Sequence, residues 1–543
     1  MRLRSDVLKE GVDRAPHRAL LRSMGISGRS MKRPFVAVVN SWNELVPGHI
    51  HLRRLGEAAK DGVRTAGGTP FEFETIGVCD GLAMGHQGMK YSLASREVIA
   101  DSIEIMVKAH CLDAMVLISS CDKILPGHLM AAARLNIPSI VVTGGPMMPG
   151  HFRGRSVDVM TVFEAVGEFQ KKRISERDLQ GIEECACPGP GSCAGMFTAN
   201  TMACLTEALG MSLPGCAATH AIEPSKVRLA KESGRQIMSL LRDNRLPSDI
   251  MTVEAFENAM TVDMALGGST NTVLHLPAIA RELGIEMTLD DFDETSRRTP
   301  HICNLRPSGP YFMKDLEKAG GIPAVLKRLK SKLKLNVLTV TGKKLSELVR
   351  GYKILDDQVV RPLSDPIHTE GGIAIVKGNL APGGAVVKYS SVPANMLRFS
   401  GPAVVFDSEE DAVKGIEGDK VRKGDVVVIR YEGPVGGPGM REMLVPTSLI
   451  VGMDLSDKVV LLTDGRFSGA TRGPCIGHIA PEAAAKGPIA VVKDRDIVQV
   501  DIPNRQLHLA LSRREIRRRL NKWRPRRRQS KGCLARIFTA STI

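Results

Sequence analysis

Residues 115–127 place three unlike side chains in succession: Cys121 offers a soft sulfur ligand, Asp122 a hard oxygen ligand, Lys123 an amine. Such a set suits a site that handles one soft and one hard metal, although alone it is equally a loop with a solvated Asp–Lys pair. A second carboxylate, Asp80, also follows an apolar run, and a hard cation such as magnesium wants several oxygen ligands. Residues 184–196 hold Cys185, Cys187 and Cys193 in a Gly/Pro-rich loop before a helix start. Thiolates there suit iron–sulfur or zinc ligation, but the spacing matches neither a ferredoxin run nor a zinc ribbon. Residues 463–469 end an apolar run and carry Ser468 between Phe467 and Gly469, where backbone donors can face an anion. This is not the G-x-S-x-G nucleophile turn, so hydrolase chemistry is disfavoured. Residues 436–443 put Glu442 at a Gly-rich turn, and 267–272 offer a helix start for a carboxylate or phosphate, or simply an N-cap. The sequence contains no Walker A loop, no H-E-x-x-H and no G-x-G-x-x-G after a strand.

The elements that must position these residues alternate. Apolar runs at 34–40, 70–77, 115–118 and 139–143 read as strands, with helices over 52–66 and 95–110. Strand, polar loop, helix in repetition predicts a parallel sheet with helical cover, and ligands then gather at the carboxyl ends of the strands. Asp80 and Asp122 fall at such ends. Residues 155–345 read as mostly helical. Beyond about 350 short β-branched runs alternate with Gly and Pro, at 372–376, 384–387, 402–406, 424–429, 458–462 and 489–492. That texture predicts a β-rich, barrel-like unit. The expectation is an α/β protein with an N-terminal parallel-sheet domain over 1–350, a C-terminal β-rich domain over 351–523 and a basic tail over 524–543, ordered or disordered; the Arg-rich run from Arg513 reads as a solvated helix or a frayed end.

Composition narrows the function classes. A chain of 543 residues exceeds one hydrophobic core. The sequence holds no apolar run of membrane-spanning length and no apolar signal core at its start, so a soluble cytoplasmic protein without a membrane partner is expected. Eleven cysteines without small-scaffold spacing suit a reducing compartment. The net charge of +15 points toward nucleic acid, but much of the excess lies in 513–528, and aromatics are only 4%. No nucleic-acid partner is expected.

Taken together the segments resemble the dihydroxy-acid dehydratase family, within the wider group of phosphogluconate and sugar-acid dehydratases. The resemblance is carried by Asn40-Ser-Trp-Asn-Glu44, Pro47-Gly-His49, Cys79-Asp-Gly81, Ser120-Cys-Asp-Lys-Ile124, Gly191-Ser-Cys-Ala-Gly-Met196, Gly267-Gly-Ser-Thr-Asn271, Thr463-Asp-Gly-Arg-Phe-Ser-Gly469 and Pro474-Cys-Ile-Gly-His478. It runs from about residue 5 to about 523. It implies a homodimeric hydro-lyase that makes a 2-keto acid from a 2,3-dihydroxy acid in valine and isoleucine biosynthesis. Phosphogluconate or another sugar acid is the alternative substrate. It implies an iron–sulfur cluster, 2Fe–2S or 4Fe–4S, on Cys121 and Cys193. It further implies magnesium on Asp80, Asp122, Lys123 as a carbamate, and Glu442, with Ser468 as the base. The chain departs from the pattern at Gly48, where many relatives carry a third cluster cysteine; Cys79 or Cys187 would have to substitute. A second departure is the tail, where the match fades after Trp523.

Overall fold

Fully buried apolar runs make the first sheet of the computed structural model, which describes residues 2–524 and 530–538. Its strands are β1 (Phe35–Asn40), β2 (Thr69–Glu74), β3 (Ala114–Ser119) and β4 (Ser139–Thr143), all parallel in the order β2-β1-β3-β4. β1, β3 and β4 carry no exposed residue, as strands covered on both faces require. Leu52–Thr65 and Pro224–Arg242 pack on each other and on the sheet; Ile124–Leu135 packs on β3 and under the helix Lys90–Ala109. The region after β4 is mostly helical as expected, except for a hairpin, β5 (Gly150–Phe152) with β6 (Arg155–Val157).

The second sheet has eight strands. They are β7 (Ala374–Val376), β8 (Gly384–Val387), β9 (Arg398–Phe406), β10 (Val426–Ile429), β12 (Val460–Thr463), β14 (Cys475–Ala480), β15 (Ile497–Asp501) and β16 (Gln506–Leu509). The order is β16-β15-β9-β10-β12-β14-β8-β7. Just past β7, Lys377 bridges Gln506: its N–H donates to the Arg505 carbonyl at 2.9 Å and its carbonyl accepts from Leu507 N–H at 2.9 Å, which closes the sheet on itself. The barrel-like expectation therefore holds. Its centre, β9-β10-β12-β14, is parallel, with helices Glu409–Glu417 and Val445–Gly452 in the connections. A two-stranded parallel ribbon, β11 (Glu442–Met443) with β13 (Arg466–Phe467), projects from it.

Two expectations are corrected. The β-branched run at 489–492 forms a short 3-10 turn, Pro488–Val491, because Arg430 takes the carbonyls of Ala490 (2.7 Å) and Val492 (3.0 Å) that a strand ladder would have used. The basic end is not frayed where it is described. The helix Arg513–Lys522 buries Ile516 on the barrel, Arg519 pairs with Asp496, and Trp523 Nε1 donates to Tyr431 Oη at 3.1 Å. The helix Gly532–Ile537 packs against Lys90–Ala109 with Leu534 buried. The rest of the expected tail, 525–529 and 539–543, lies outside the described residues. No helix among the described residues is long and apolar enough to cross a membrane.

The core encloses titratable groups, among them His128, which is fully buried against Thr75 Oγ1 (3.2 Å) and pulled by burial down to about 3. A folded-state value below the unfolded one means that the fold binds fewer protons. Its stabilising share is complete above the unfolded value of about 6.5 and is lost as pH falls toward 3. Glu207 and Asp263, pushed up by burial to about 7, act in the opposite sense. The clean measurement is therefore a difference. Between pH 7 and 5, H128Q is expected to lose about 2 kcal/mol less stability than the parent in urea unfolding; equal losses would remove His128 from the acid response.

Candidate active site

Both strands that precede the sequence-selected aspartates deliver them to one edge of the first sheet. Asp80 opens the short helix Asp80–Ala83 beyond β2. Cys121, Asp122 and Lys123 form the turn between β3 and the helix Ile124–Leu135. Cys121 holds a left-handed φ of 66°, a conformation that costs a non-glycine residue about 1–2 kcal/mol and persists only where its surroundings impose it. Asp122 then lies at a helix N-terminus, whose dipole favours a carboxylate. Glu442 arrives from the other half of the chain on β11, in register with Arg466 on β13. Its neighbour Arg441 makes paired hydrogen bonds with Glu410 and Glu432, which fixes the ribbon.

These segments converge on Lys123. Its Nζ lies 2.6 Å from Asp80 Oδ2, 3.0 Å from Glu442 Oε2 and 3.5 Å from Asp122 Oδ2, with the lysine fully buried. Carboxylate oxygens of Asp80, Asp122 and Glu442 come within 4.8 Å of one another, the span of a metal's oxygen shell. Arg466 Nη1 and Asn271 Nδ2 each donate to Glu442 Oε2 at 2.9 Å, and Ser92 donates to Asp80 Oδ1 at 2.6 Å. Burial alone would raise Glu442, but the Lys123 ammonium and Arg466 guanidinium hold it below the ordinary carboxylate range. Burial pulls the Lys123 ammonium down, yet Asp80 and Glu442 keep it above its ordinary value. Asp122, more distant from the cation, is pushed by burial up to about 7. The carboxylate oxygens are the donor set that a dication needs, and the Lys123 ammonium now at their centre would have to lose its positive charge for one to enter.

The thiols gather beside this cage. Burial pushes Cys121 and Cys193 well above the ordinary thiol value; Cys79 and Cys193 lie in the electrostatic surroundings of Cys121, and Cys79 and Cys187 in those of Cys193. Thiols so disfavoured as free thiolates ionise readily only beside a metal cation, so they fit a metal cluster. The Cys193 loop is held by Asn200, whose Nδ2 donates to the carbonyls of Cys193 and of Gly195 (2.7 Å) while its Oδ1 accepts from Ser192 (2.8 Å). Gly191 has a φ of 131°, and a Cβ there would stand 2.3 Å from Met147 N, so no other residue lets the loop lie this close. At Gly48 a Cβ would come within 2.7 Å of Cys121 Sγ: the residue that departs from the family pattern borders this thiol directly.

Ser468 follows β13, two residues beyond Arg466; its N–H donates to the Met443 carbonyl at 3.0 Å and its Oγ accepts from Ala470 N–H at 3.3 Å. The structure thus brings together Asp80, Asp122, Lys123 and Glu442, and places Cys79 and Cys193 in the electrostatic surroundings of Cys121, with Cys187 in those of Cys193. Cys185 ends the helix Glu176–Cys185. The 267–272 turn does bind a carboxylate, but it is the chain's own Glu442, through Asn271. Sequence reasoning missed Arg466, Asn271 and Ser92 as partners of the carboxylates. The first two stand inside quoted motifs; Ser92 sits within the first turn of Lys90–Ala109 and carries no signal of its own.

Comparison with known proteins assigns the chain. The family model described as "Dihydroxy-acid/6-phosphogluconate dehydratase N-terminal" matches residues 33–348, and its C-terminal counterpart matches 358–542. The chain is similar to proteins named dihydroxy-acid dehydratase from Methanothrix thermoacetophila (59% identical, covering 96% of this chain and 95% of that one). It is likewise similar to those from Methanosarcina barkeri (57%; 98% and 97%) and Pyrococcus abyssi (56%; 99% and 98%). Two family models spanning both sheets, together with full-length relatives at this identity, show that the chain belongs to the dihydroxy-acid/6-phosphogluconate dehydratase family of hydro-lyases.

Proposed function

We propose that the protein is a dihydroxy-acid dehydratase that converts 2,3-dihydroxy-3-methylbutanoate and 2,3-dihydroxy-3-methylpentanoate to their 2-keto acids, the precursors of valine and isoleucine. One observation carries the reading. An oxygen cage drawn from both halves of the chain lies next to half-buried thiols, and the junction is the peptide between Cys121 and Asp122. Asp80, Asp122, Glu442 and Lys123 as a carbamate would hold magnesium; Cys121 and Cys193 would hold an iron–sulfur cluster of 2Fe–2S or 4Fe–4S type. Bound there, the dication would supply positive charge against the developing enolate, and the cluster would supply a Lewis acid for the C3 hydroxyl.

The chain's own residues do the rest. Ser468 takes the C2 proton; its support is its position directly after β13, the strand paired with Glu442, where the field of a bound cation would lower the hydroxyl's affinity for its proton. Loss of that proton and of the C3 hydroxyl leaves an enol, which becomes the 2-keto acid when a proton moves from the C2 oxygen to C3. Arg466 and Asn271 orient Glu442, and Ser92 orients Asp80. With Gly at position 48, Cys79 or Cys187 is the third thiolate. Homodimerisation is supported by Leu45 and Ile50, exposed on the segment whose Gly48 borders Cys121, and by Ile76 and Leu82, exposed on either side of Asp80. Eleven free thiols support a cytoplasmic location. A phosphogluconate substrate is less supported: Lys123 and Arg466 are both engaged by Glu442, and the relatives named above are dihydroxy-acid dehydratases.

Anaerobically purified enzyme is expected to form keto acid from branched dihydroxy acids in preference to phosphogluconate. S468A should lower kcat by about 10²–10⁴-fold with iron and magnesium content unchanged; near-parental turnover would reject Ser468 as the base. In metal-free protein K123M leaves buried carboxylates without their cation and should cost about 3–5 kcal/mol of stability, recovered by added magnesium. Equal melting of parent and variant would show that the cage is not charge-limited. C79A and C187A are each to be assayed for iron per chain: a loss in one identifies the third thiolate, and unchanged iron in both excludes them.

A further inference from the structure

Lys388 is a buried amine with no part in the reading above. It stands immediately after β8, is 5% exposed, and belongs to neither the oxygen cage nor the thiol group. Its Nζ donates to the carbonyl of Gly469 at 3.0 Å and reaches the carbonyl of Met196 at 3.5 Å. Gly469 is the residue after Ser468; Met196 is three residues after Cys193. One side chain therefore ties the proposed base loop to the loop of a proposed cluster ligand, and does so from a third segment, at the seam of the two halves. Gly469 is also confined from its other side. A Cβ there would stand 2.6 Å from Ser269 Oγ and 2.9 Å from Thr198 Oγ1, hydroxyls that bond each other at 2.8 Å and both reach Asn271, the partner of Glu442.

We propose that Lys388 is a positioning residue for the dehydration: by clamping the Gly469 and Met196 carbonyls it sets Ser468 against the substrate's C2 hydrogen. The inference rests on the reading of Ser468 as base. The charged and titratable groups that face Lys388 are Asp263, whose carboxylate accepts from Thr272 Oγ1 at 2.7 Å, and the His301 imidazole. Burial brings the amine down to about 7, with Asp263 opposing. A neutral amine still has two N–H groups for two carbonyls, so the clamp does not depend on the protonation state. Its effect is geometric, the kind of remote placement in which an error of about 1 Å costs about 10²-fold in rate.

The test uses the loaded holoenzyme. K388M is expected to lower kcat by about 10²-fold while KM stays within about threefold, iron per chain and the visible spectrum are unchanged, and the kinetic isotope effect from C2-deuterated substrate rises. K388R, which can still donate to both carbonyls, should recover at least about a tenth of the parental kcat. G469A crowds the same loop from the Thr198 and Ser269 side and should give the same loss of kcat at constant KM; it also serves as the deciding variant if K388M does not fold. If S468A abolishes turnover while K388M, or in its place G469A, keeps kcat within about threefold of the parent, the inference is overturned and the base reading stands. Retained activity in S468A would overturn the base reading itself.

Discussion

The constraint on which this protein depends is the burial of Asp80, Asp122 and Glu442 within one coordination shell. Buried carboxylates are tolerated only with a counter-charge and with hydrogen bonds on their remaining lone pairs. Lys123 supplies the first; Arg466, Asn271 and Ser92 supply the second. A carbamate on Lys123 would exchange an ammonium for an anion, a fall of two charges, and a magnesium ion in the same cage restores two. The proposed active form therefore carries the same net charge as the metal-free cage with Asp122 ionised. The surrounding shell has no charge imbalance to absorb between the two, and the left-handed turn at Cys121 and the β11–β13 ribbon can stay as they are.

The same cage explains why the two halves of the chain are interdependent. Asp80, Asp122 and Lys123 are fixed by the first sheet, but Glu442 and Arg466 come from a ribbon attached to the barrel. Glu442 and Arg466 balance each other, but Asp80 and Asp122 outnumber Lys123, so the first half alone keeps an excess negative charge. Docking the barrel on the α/β layer brings Glu442 to Lys123 and, in the same movement, Lys388 to the Met196 carbonyl. The apolar contact between the halves sets the distance, and the ion pairs set the register, because a displaced Glu442 would leave Lys123 facing fewer carboxylates in a dry interior.

Much of this was legible in the sequence because it is local. Buried parallel strands read as continuous apolar runs, so β1, β3 and β4 were placed within a residue or so, and with β3 Asp122; Asp80 follows β2, a half-buried strand that ends at Glu74, short of the expected 70–77. Glu442 and Ser468 were different: short turns flank both, and only resemblance to a family tied them to the first half. What stayed hidden depends on tertiary partners. The run at 489–492 has every mark of a strand, yet Arg430 takes its carbonyls. Arg466 and Asn271 look like a surface arginine and a helix cap until Glu442 is brought between them. β15 and β16 alternate burial on a polar hairpin and carry too few apolar residues to stand out.

Protonation links the two proposed metal sites. Burial pushes the Cys121 and Cys193 thiols well above their ordinary value and Asp122 up to about 7, so in the metal-free protein the thiols keep their protons and Asp122 shares its own with solvent near neutrality. Any cation loaded there must displace protons, which makes loading more favourable as pH rises. Because Asp122 lies in the electrostatic surroundings of both thiols, each negative charge formed in one region raises the cost of forming the next in the other. The adjacency of residues 121 and 122 thus couples the two proposed sites by electrostatics.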